Sequence, residues 1–168
     1  LMHVLITGAA GMIGRKLSER LAKDGSLNGK PIDKMTLTDV VAPAAPAGFS
    51  GKIDARVDDL PAPGVAGKLI AGRPDVIFHL AGVVSGEAEL DFEKGYRVNL
   101  ESIQHLLEAI RKIGDGYHPK FVFTSSIAVY GAPFPPAIYD EFHLTPLTSY
   151  GTQKAMGELL LADYTRKG

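Results

Sequence analysis

The fold follows from one stretch near the N-terminus, Thr7-Gly-Ala-Ala-Gly-Met-Ile-Gly14. It comes directly after the apolar run Val4-Leu5-Ile6 and leads into a helical pattern with Ile13, Leu17 and Leu21 on one face. A glycine-rich turn between a strand and a helix lets a diphosphate approach the N–H groups at the helix start. The stretch therefore predicts a dinucleotide-binding turn. Its glycines fall every third residue and match the G-x-G-x-x-G pattern only loosely. The alternative to a binding site is a turn that only packs the strand against the helix.

Short apolar runs alternate with helical patterns along the rest of the chain. Residues 35–38, 76–78 and 121–123 are too short for helices and are predicted to be buried strands, with residues 53–57 as a further candidate strand. The spacing of Ile103, Leu106, Leu107 and Ile110 predicts a helix, and residues 65–71 a short one. This alternation predicts an α/β fold, a Rossmann-type doubly wound parallel sheet.

Composition limits the possible partners. The 168 residues are 45% hydrophobic and 22% charged, which is typical of one globular domain over residues 1–168. A net charge of -1 with scattered basic residues argues against a nucleic-acid or membrane partner. The absence of cysteine excludes disulfides and fits a cytoplasmic protein. Five dispersed histidines show no metal-ligand spacing, so no metal is predicted.

Three residues in the second half could carry proton transfer: Ser126, Tyr150 and Lys154. Tyr150 and Lys154 are four residues apart, which places them on one face of a helix. A neighbouring ammonium favours the phenolate form of a tyrosine, and a serine hydroxyl can hold the substrate oxygen against it. A Tyr-x-x-x-Lys pair alone is weak evidence, and the alternative is an aromatic at a helix start followed by a solvated lysine.

Asp39 ends the predicted second strand, where a carboxylate can accept hydrogen bonds from both ribose hydroxyls of a dinucleotide. Its charge would repel a 2′-phosphate, and no arginine stands beside it, so NAD is predicted over NADP. Asp59 and Leu60 follow the next strand and could contact the adenine. Ligands of doubly wound sheets bind at the carboxyl ends of the strands. The glycine turn, Asp39, residues 79–85 and Ser126 are therefore predicted to converge there.

The chain resembles the short-chain dehydrogenase/reductase superfamily, in its extended branch of sugar epimerases and dehydratases. The resemblance rests on motifs that stand in family order: residues 7–14, His79-Leu-Ala-Gly82, Val98-Asn99-Leu100, Ser125-Ser126 with Val129-Tyr130-Gly131, and Tyr150-Gly-Thr-Gln-Lys154. It implies that Tyr150 is the catalytic acid/base, that Lys154 activates it and holds the nicotinamide ribose, and that Ser126 aligns the substrate. The predicted NAD site is formed by Gly8, Gly11, Met12, Ile13, Gly14, Asp39, Asp59, Leu60, Ala81, Gly82, Val83, Asn99, Tyr150 and Lys154. The resemblance leaves open whether Asn99 contacts the cofactor or is an amide that positions the helix.

The loops at residues 83–90 and 131–135, and the stretch 140–150, resemble those of a member that acts on a four-carbon sugar acid. The predicted function is NAD-dependent oxidation of a 2-hydroxy sugar acid at C2 to the 2-oxo acid. Ser85, Ser126 and Tyr150 are the predicted substrate contacts. Two alternatives stay open: a nucleotide-sugar epimerase or dehydratase of the same branch, and a non-catalytic NAD-binding regulator.

The resemblance also bears on size and assembly. Members of this branch are about twice as long, so the chain is expected to be the N-terminal part of a larger enzyme, without the C-terminal portion that completes the substrate pocket. They commonly dimerise through the helices that carry Asn99 and Tyr150, so a homodimer is expected. Leu106, Leu107 and Leu160 on these helices could belong either to the core or to that interface.

Overall fold

The computed structural model describes residues 1–168 and contains seven strands and six α-helices. The strands are β1 His3–Thr7, β2 Ser26–Leu27, β3 Lys30–Pro31, β4 Lys34–Asp39, β5 Lys52–Val57, β6 Val76–His79 and β7 Lys120–Phe123. The helices are α1 Met12–Asp24, α2 Val65–Ile70, α3 Ser85–Leu90, α4 Phe92–Tyr96, α5 Ser102–Ile113 and α6 Ser149–Lys167. A π-helical segment, Arg97–Glu101, lies between α4 and α5, and a 3₁₀ turn, Ile127–Val129, follows β7. None of the helices is long and apolar enough to span a membrane.

Five strands form one parallel sheet in the order β5-β4-β1-β6-β7. The chain builds the sheet outward from β1 to β5, then returns to the other side of β1 to add β6 and β7. This reversal between β1 and β6 is the switch point at which Rossmann-type sheets bind their ligands. The predicted Rossmann-type parallel sheet is confirmed, and the candidate strand at residues 53–57 is β5.

The central strand of this sheet is buried on both faces. Val4, Leu5 and Ile6 of β1 are 0% exposed, which explains why β1 is an unbroken apolar run and not an alternating one. Val4 and Ile6 belong to a core cluster that also contains Leu21 of α1 and Met35 of β4. The packing of α1 and β4 around β1 fixes the position of the turn that leaves its carboxyl end.

The chain divides into two compact units. The first comprises Leu1–Ala81 and Glu108–Thr124 and therefore contains the whole five-stranded sheet with α1 and α2. The second comprises Gly82–Leu107 and Ser125–Gly168 and contains α3, α4, the π-helical segment and α6. That residues 1–168 form one domain stays a prediction.

Two segments depart from the sequence-based expectations. Residues 85–90 were expected in a loop but form α3, since Glu, Ala and Leu favour helix and Ala88 is fully buried. A hairpin of β2 and β3, which was not predicted, lies between α1 and β4. Its turn consists of Asn28 and Gly29, with φ angles of 49° and 74°. An Asn-Gly pair is a strong signal for such a turn, but the flanking strands are only two residues long.

Candidate active site

The glycine turn after β1 depends on the absence of side chains. Gly8 has a φ of 69°, and a Cβ atom there would lie 2.6 Å from the backbone nitrogen of Ala81, directly after β6. A Cβ on Gly14 would lie 2.2 Å from the carbonyl oxygen of Gly8. Gly11 is the N-cap of α1, and no side chain caps this helix end. The turn therefore presents a bare helix N-terminus at the switch point of the sheet, which fits a dinucleotide diphosphate.

We expect Gly14→Ala to destabilise the protein by about 2 kcal/mol or more, because its methyl group would collide with backbone atoms that cannot rotate away. NAD binding should weaken strongly as the turn moves away from α1. Gly67→Ala is the matched control, since a Cβ on Gly67 in α2 meets no atom within 4 Å. It should be neutral or stabilising. Thermal unfolding and calorimetry with NAD measure both effects, and equal behaviour of the two variants would contradict the assigned role of the turn.

Asp39 lies at the end of β4, beside the glycine turn. Its carboxylate accepts hydrogen bonds from the backbone N–H groups of Ala10, at 2.9 Å, and Val40, at 2.7 Å. These bonds fix the carboxylate next to the turn in the first unit, where sequence reasoning expected it. Two apolar side chains of the turn, Met12 and Ile13, are 63% and 54% exposed. Neither side chain is buried in the core, and their contact with the cofactor stays a prediction.

The two acidic residues after β5 differ in exposure. Asp58 accepts a hydrogen bond from the Thr38 hydroxyl at 2.9 Å and is paired with Arg56. Asp59 is exposed, while Leu60 is buried at 6% exposure. Asp58 is thus engaged within the fold, and the contact of Asp59 and Leu60 with adenine stays a prediction.

Tyr150 and Lys154 lie on the first turns of α6, in the second unit. Thr148 caps this helix by accepting a hydrogen bond from the Gly151 N–H at 3.0 Å. The Nζ atom of Lys154 lies 5.7 Å from the centroid of the Tyr150 ring. Lys154 is only 4% exposed, and this burial lowers the pKa of its ammonium group to about 8. The lysine is therefore a desolvated cation next to the phenol, not a solvated surface charge.

Ser126 is held at the N-cap of the 3₁₀ turn, where its Oγ accepts a hydrogen bond from the Ala128 N–H at 3.1 Å. Gly151 of α6 packs against this turn. A Cβ on Gly151 would lie 2.1 Å from the Ala128 carbonyl oxygen. This close approach places the segment that carries Ser126 against the helix turn that carries Tyr150.

A second group of predicted residues surrounds Lys154. Asn99, in the π-helical segment, accepts a hydrogen bond from the Val83 N–H at 2.9 Å and donates one to the Val83 carbonyl at 3.2 Å. A Cβ on Gly82 would lie 3.0 Å from Oδ1 of Asn99 and 3.6 Å from Nζ of Lys154. Ser85 is exposed at the start of α3. The structure thus gathers Gly82, Val83, Asn99 and Lys154, while substrate contact by Ser85 stays a prediction.

The sheet order and the glycine turn define a Rossmann-type nucleotide-binding fold. A family model described as the NAD dependent epimerase/dehydratase family matches residues 4–168, and the chain belongs to this family. The predicted family resemblance is thereby confirmed.

Individual relatives carry different names. D-erythronate dehydrogenase of Cupriavidus necator is 49% identical over 175 residues, covering 99% of this chain and 52% of that protein. The solved structure of a nucleoside-diphosphate-sugar epimerase from Agrobacterium tumefaciens has a TM-score of 0.97 and 67% identity, covering 99% of this chain and 49% of that one. Uronate dehydrogenase from the same organism has a TM-score of 0.80 and 31% identity, covering 99% and 56%. The chain spans about half the length of the curated relatives it matches.

Proposed function

We propose that the protein oxidises a 2-hydroxy sugar acid at C2 to the 2-oxo acid, with NAD as oxidant and D-erythronate as the first substrate to test. The observation that carries this proposal is the buried Lys154 ammonium beside the Tyr150 ring, on a helix that packs against the Ser126 turn. The likeness to D-erythronate dehydrogenase of Cupriavidus necator supports the choice of substrate.

The residues present fit NAD. The glycine turn offers a bare helix N-terminus for the diphosphate, and Asp39 offers a fixed carboxylate for the adenosine ribose. Lys154 and the Gly82–Val83 backbone would hold the nicotinamide ribose side. When bound, NAD supplies the hydride acceptor. The further positions assigned to the cofactor are Gly8, Gly11, Met12, Ile13, Gly14, Asp59, Leu60, Ala81 and Asn99.

Within this site the chain's own groups move one proton. The Ser126 hydroxyl holds the C2 hydroxyl of the substrate, and Tyr150, as phenolate, accepts its proton while the C2–H bond breaks with loss of hydride. Lys154 supplies the positive charge that favours the phenolate. With a pKa of about 8, its ammonium group remains mostly protonated at pH 7. The hydroxy acid thus loses one hydride and one proton and becomes the 2-oxo acid.

The function is tested by following absorbance at 340 nm with the full-length protein, NAD and a panel of four- to six-carbon 2-hydroxy sugar acids. NADH should accumulate with at least one member of the panel. If none reacts while calorimetry shows that NAD binds, the dehydrogenase assignment is wrong.

Nucleotide-sugar epimerisation is the second candidate, because the structure with 67% identity is described as a nucleoside-diphosphate-sugar epimerase. An epimerase returns its NAD unreduced, so it would convert nucleotide sugars with no net absorbance change at 340 nm. Conversion of nucleotide sugars together with silence across the sugar-acid panel would establish this alternative.

The protein is further proposed to act as a homodimer in the cytoplasm on a small-molecule substrate, without nucleic-acid or membrane partners. Leu106 and Leu107 are buried and belong to the core of the chain. Leu160 on α6 is half-buried, and its neighbour Leu159 is 62% exposed and available to an interface. Sedimentation equilibrium of the full-length protein would show a monomer mass if the dimer proposal is wrong.

A further inference from the structure

Gln153, which precedes Lys154 on α6, is fully buried and bonded to Asn99. The orientation of this amide pair follows from Val83. The Val83 N–H can only donate, so Asn99 must turn Oδ1 towards it. Asn99 therefore donates from Nδ2 to Gln153, and the acceptor must be the Oε1 atom of Gln153, at 2.8 Å. The result is a chain of hydrogen bonds from the Val83 backbone through Asn99 to Gln153 on α6.

The other end of the Gln153 amide makes no polar contact. Its Nε2 atom is buried and has no hydrogen-bond partner. It lies against Gly95 of α4, where a Cβ atom would be 2.8 Å away. A buried donor without an acceptor costs about 1–3 kcal/mol, which an apolar side chain of similar volume would avoid. This cost offsets the stability that the bond from Asn99 to Oε1 contributes, so stability alone gives little reason for an amide at this position.

We propose that Gln153 is a positioning residue, whose bond to Asn99 sets the placement of Tyr150 and Lys154 relative to the Gly82–Val83 backbone. The hydrogen bond joins Gln153, one residue before Lys154 on α6, to the Asn99 amide, which is bonded to both backbone groups of Val83. It therefore connects α6 to the Val83 backbone. Asn99 lies in the π-helical segment, an irregularity that is frequent at functional sites. The proposal deepens the proposed function, because it concerns the same Tyr150 and Lys154.

Gln153→Met tests this in the full-length protein. Methionine keeps the length and approximate volume of the side chain but cannot accept from Asn99, which retains both bonds to Val83. We expect kcat to fall about 10- to 100-fold, because small misplacements of reacting groups lower the rate by such factors. The Kd for NAD should stay within about threefold, since the bonds between Asn99 and Val83 are intact. The melting temperature should change little, because removal of the unpartnered Nε2 offsets the loss of the acceptor for the Asn99 Nδ2–H. Activity thus falls without a matching loss of stability.

The matched control is Gln104→Met, because Gln104 is also helical but exposed. It should leave kcat unchanged. The proposal is overturned if kcat of Gln153→Met equals the wild-type value, if the melting temperature falls along with activity, or if the Kd for NAD weakens as much as kcat falls. If the wild-type protein oxidised no sugar acid, that result would count against the proposed function alone. The comparison of kcat would then be made on nucleotide-sugar epimerisation, or by the exchange of substrate hydrogen with bound NAD.

Discussion

The Tyr150→Phe variant of the full-length protein should lose about 10²–10⁴-fold in kcat, the usual contribution of a positioned acid/base. Phenylalanine keeps the ring that lies 5.7 Å from Nζ of Lys154 but removes the oxygen that we propose accepts the substrate proton. The half-buried ring should still pack, so the melting temperature should change little. Binding of NAD should also persist, because the glycine turn and Asp39 are untouched. Steady-state kinetics and calorimetry with NAD measure these effects.

Tyr139→Phe is the control for this exchange, since Tyr139 is 73% exposed and lies outside the catalytic helix. It should retain wild-type kcat. A Tyr150→Phe protein that turned over at the wild-type rate, with NAD still required, would show that another group is the base.

The Lys154→Met variant should lose activity yet gain stability at pH 7. Burial lowers the pKa of Lys154 to about 8 in the folded chain, against 10.5 for the exposed lysine of the unfolded chain. The unfolded state therefore holds the proton more firmly, and burying the charged form costs on the order of 3 kcal/mol below pH 8. This cost shrinks as the pH rises from 8 towards 10.5. Methionine removes the charge, so the melting temperature should rise by several degrees at pH 7 and by less at pH 10.

Activity moves the other way in this variant. The variant lacks the positive charge that we propose assists proton transfer to Tyr150, so we expect kcat to fall about 10²-fold or more. Lys112→Met on α5 is the control, because Lys112 is exposed and its charge is fully hydrated. It should change neither quantity. If Lys154→Met were less stable than wild type at pH 7, the lysine would be stabilising the fold, and the claim that its buried charge lowers stability would be wrong.

Local patterns were sufficient to predict the sheet. Strands β1, β4, β6 and β7 contain short apolar or β-branched runs, and the alternation of strands with helices predicts a parallel sheet. The fifth strand, β5, carries charged residues and was the less certain candidate, and the strand order was not predicted. The segment 85–90 was missed because it was treated as a loop by resemblance, although its Glu, Ala and Leu residues favour helix. The packing of Ala88, which adds to this preference, is not visible in the sequence alone.

The same distinction holds in the candidate site. Gly8 and Asp39 lie at strand ends and Gly14 lies in the first turn of α1, so their placement around the turn could be predicted from order along the chain. The burial of Lys154 could not, since nothing in Tyr-x-x-x-Lys distinguishes a desolvated lysine from a solvated one. The Gln153–Asn99 bond joins residues 54 positions apart and leaves no periodic signal. Only its position beside Lys154 could have drawn attention to Gln153.

Oxidation at C2 is tested most directly by following the hydrogen that C2 carries. The full-length protein is given D-erythronate with deuterium at C2, together with NAD, and the masses of the reduced cofactor and of the sugar-acid product are measured. We predict deuterium in NADH and a 2-oxo acid that has lost it. Unlabelled NADH with deuterium retained in the sugar acid would place the oxidation at another carbon. NAD that stays unreduced would contradict a D-erythronate dehydrogenase.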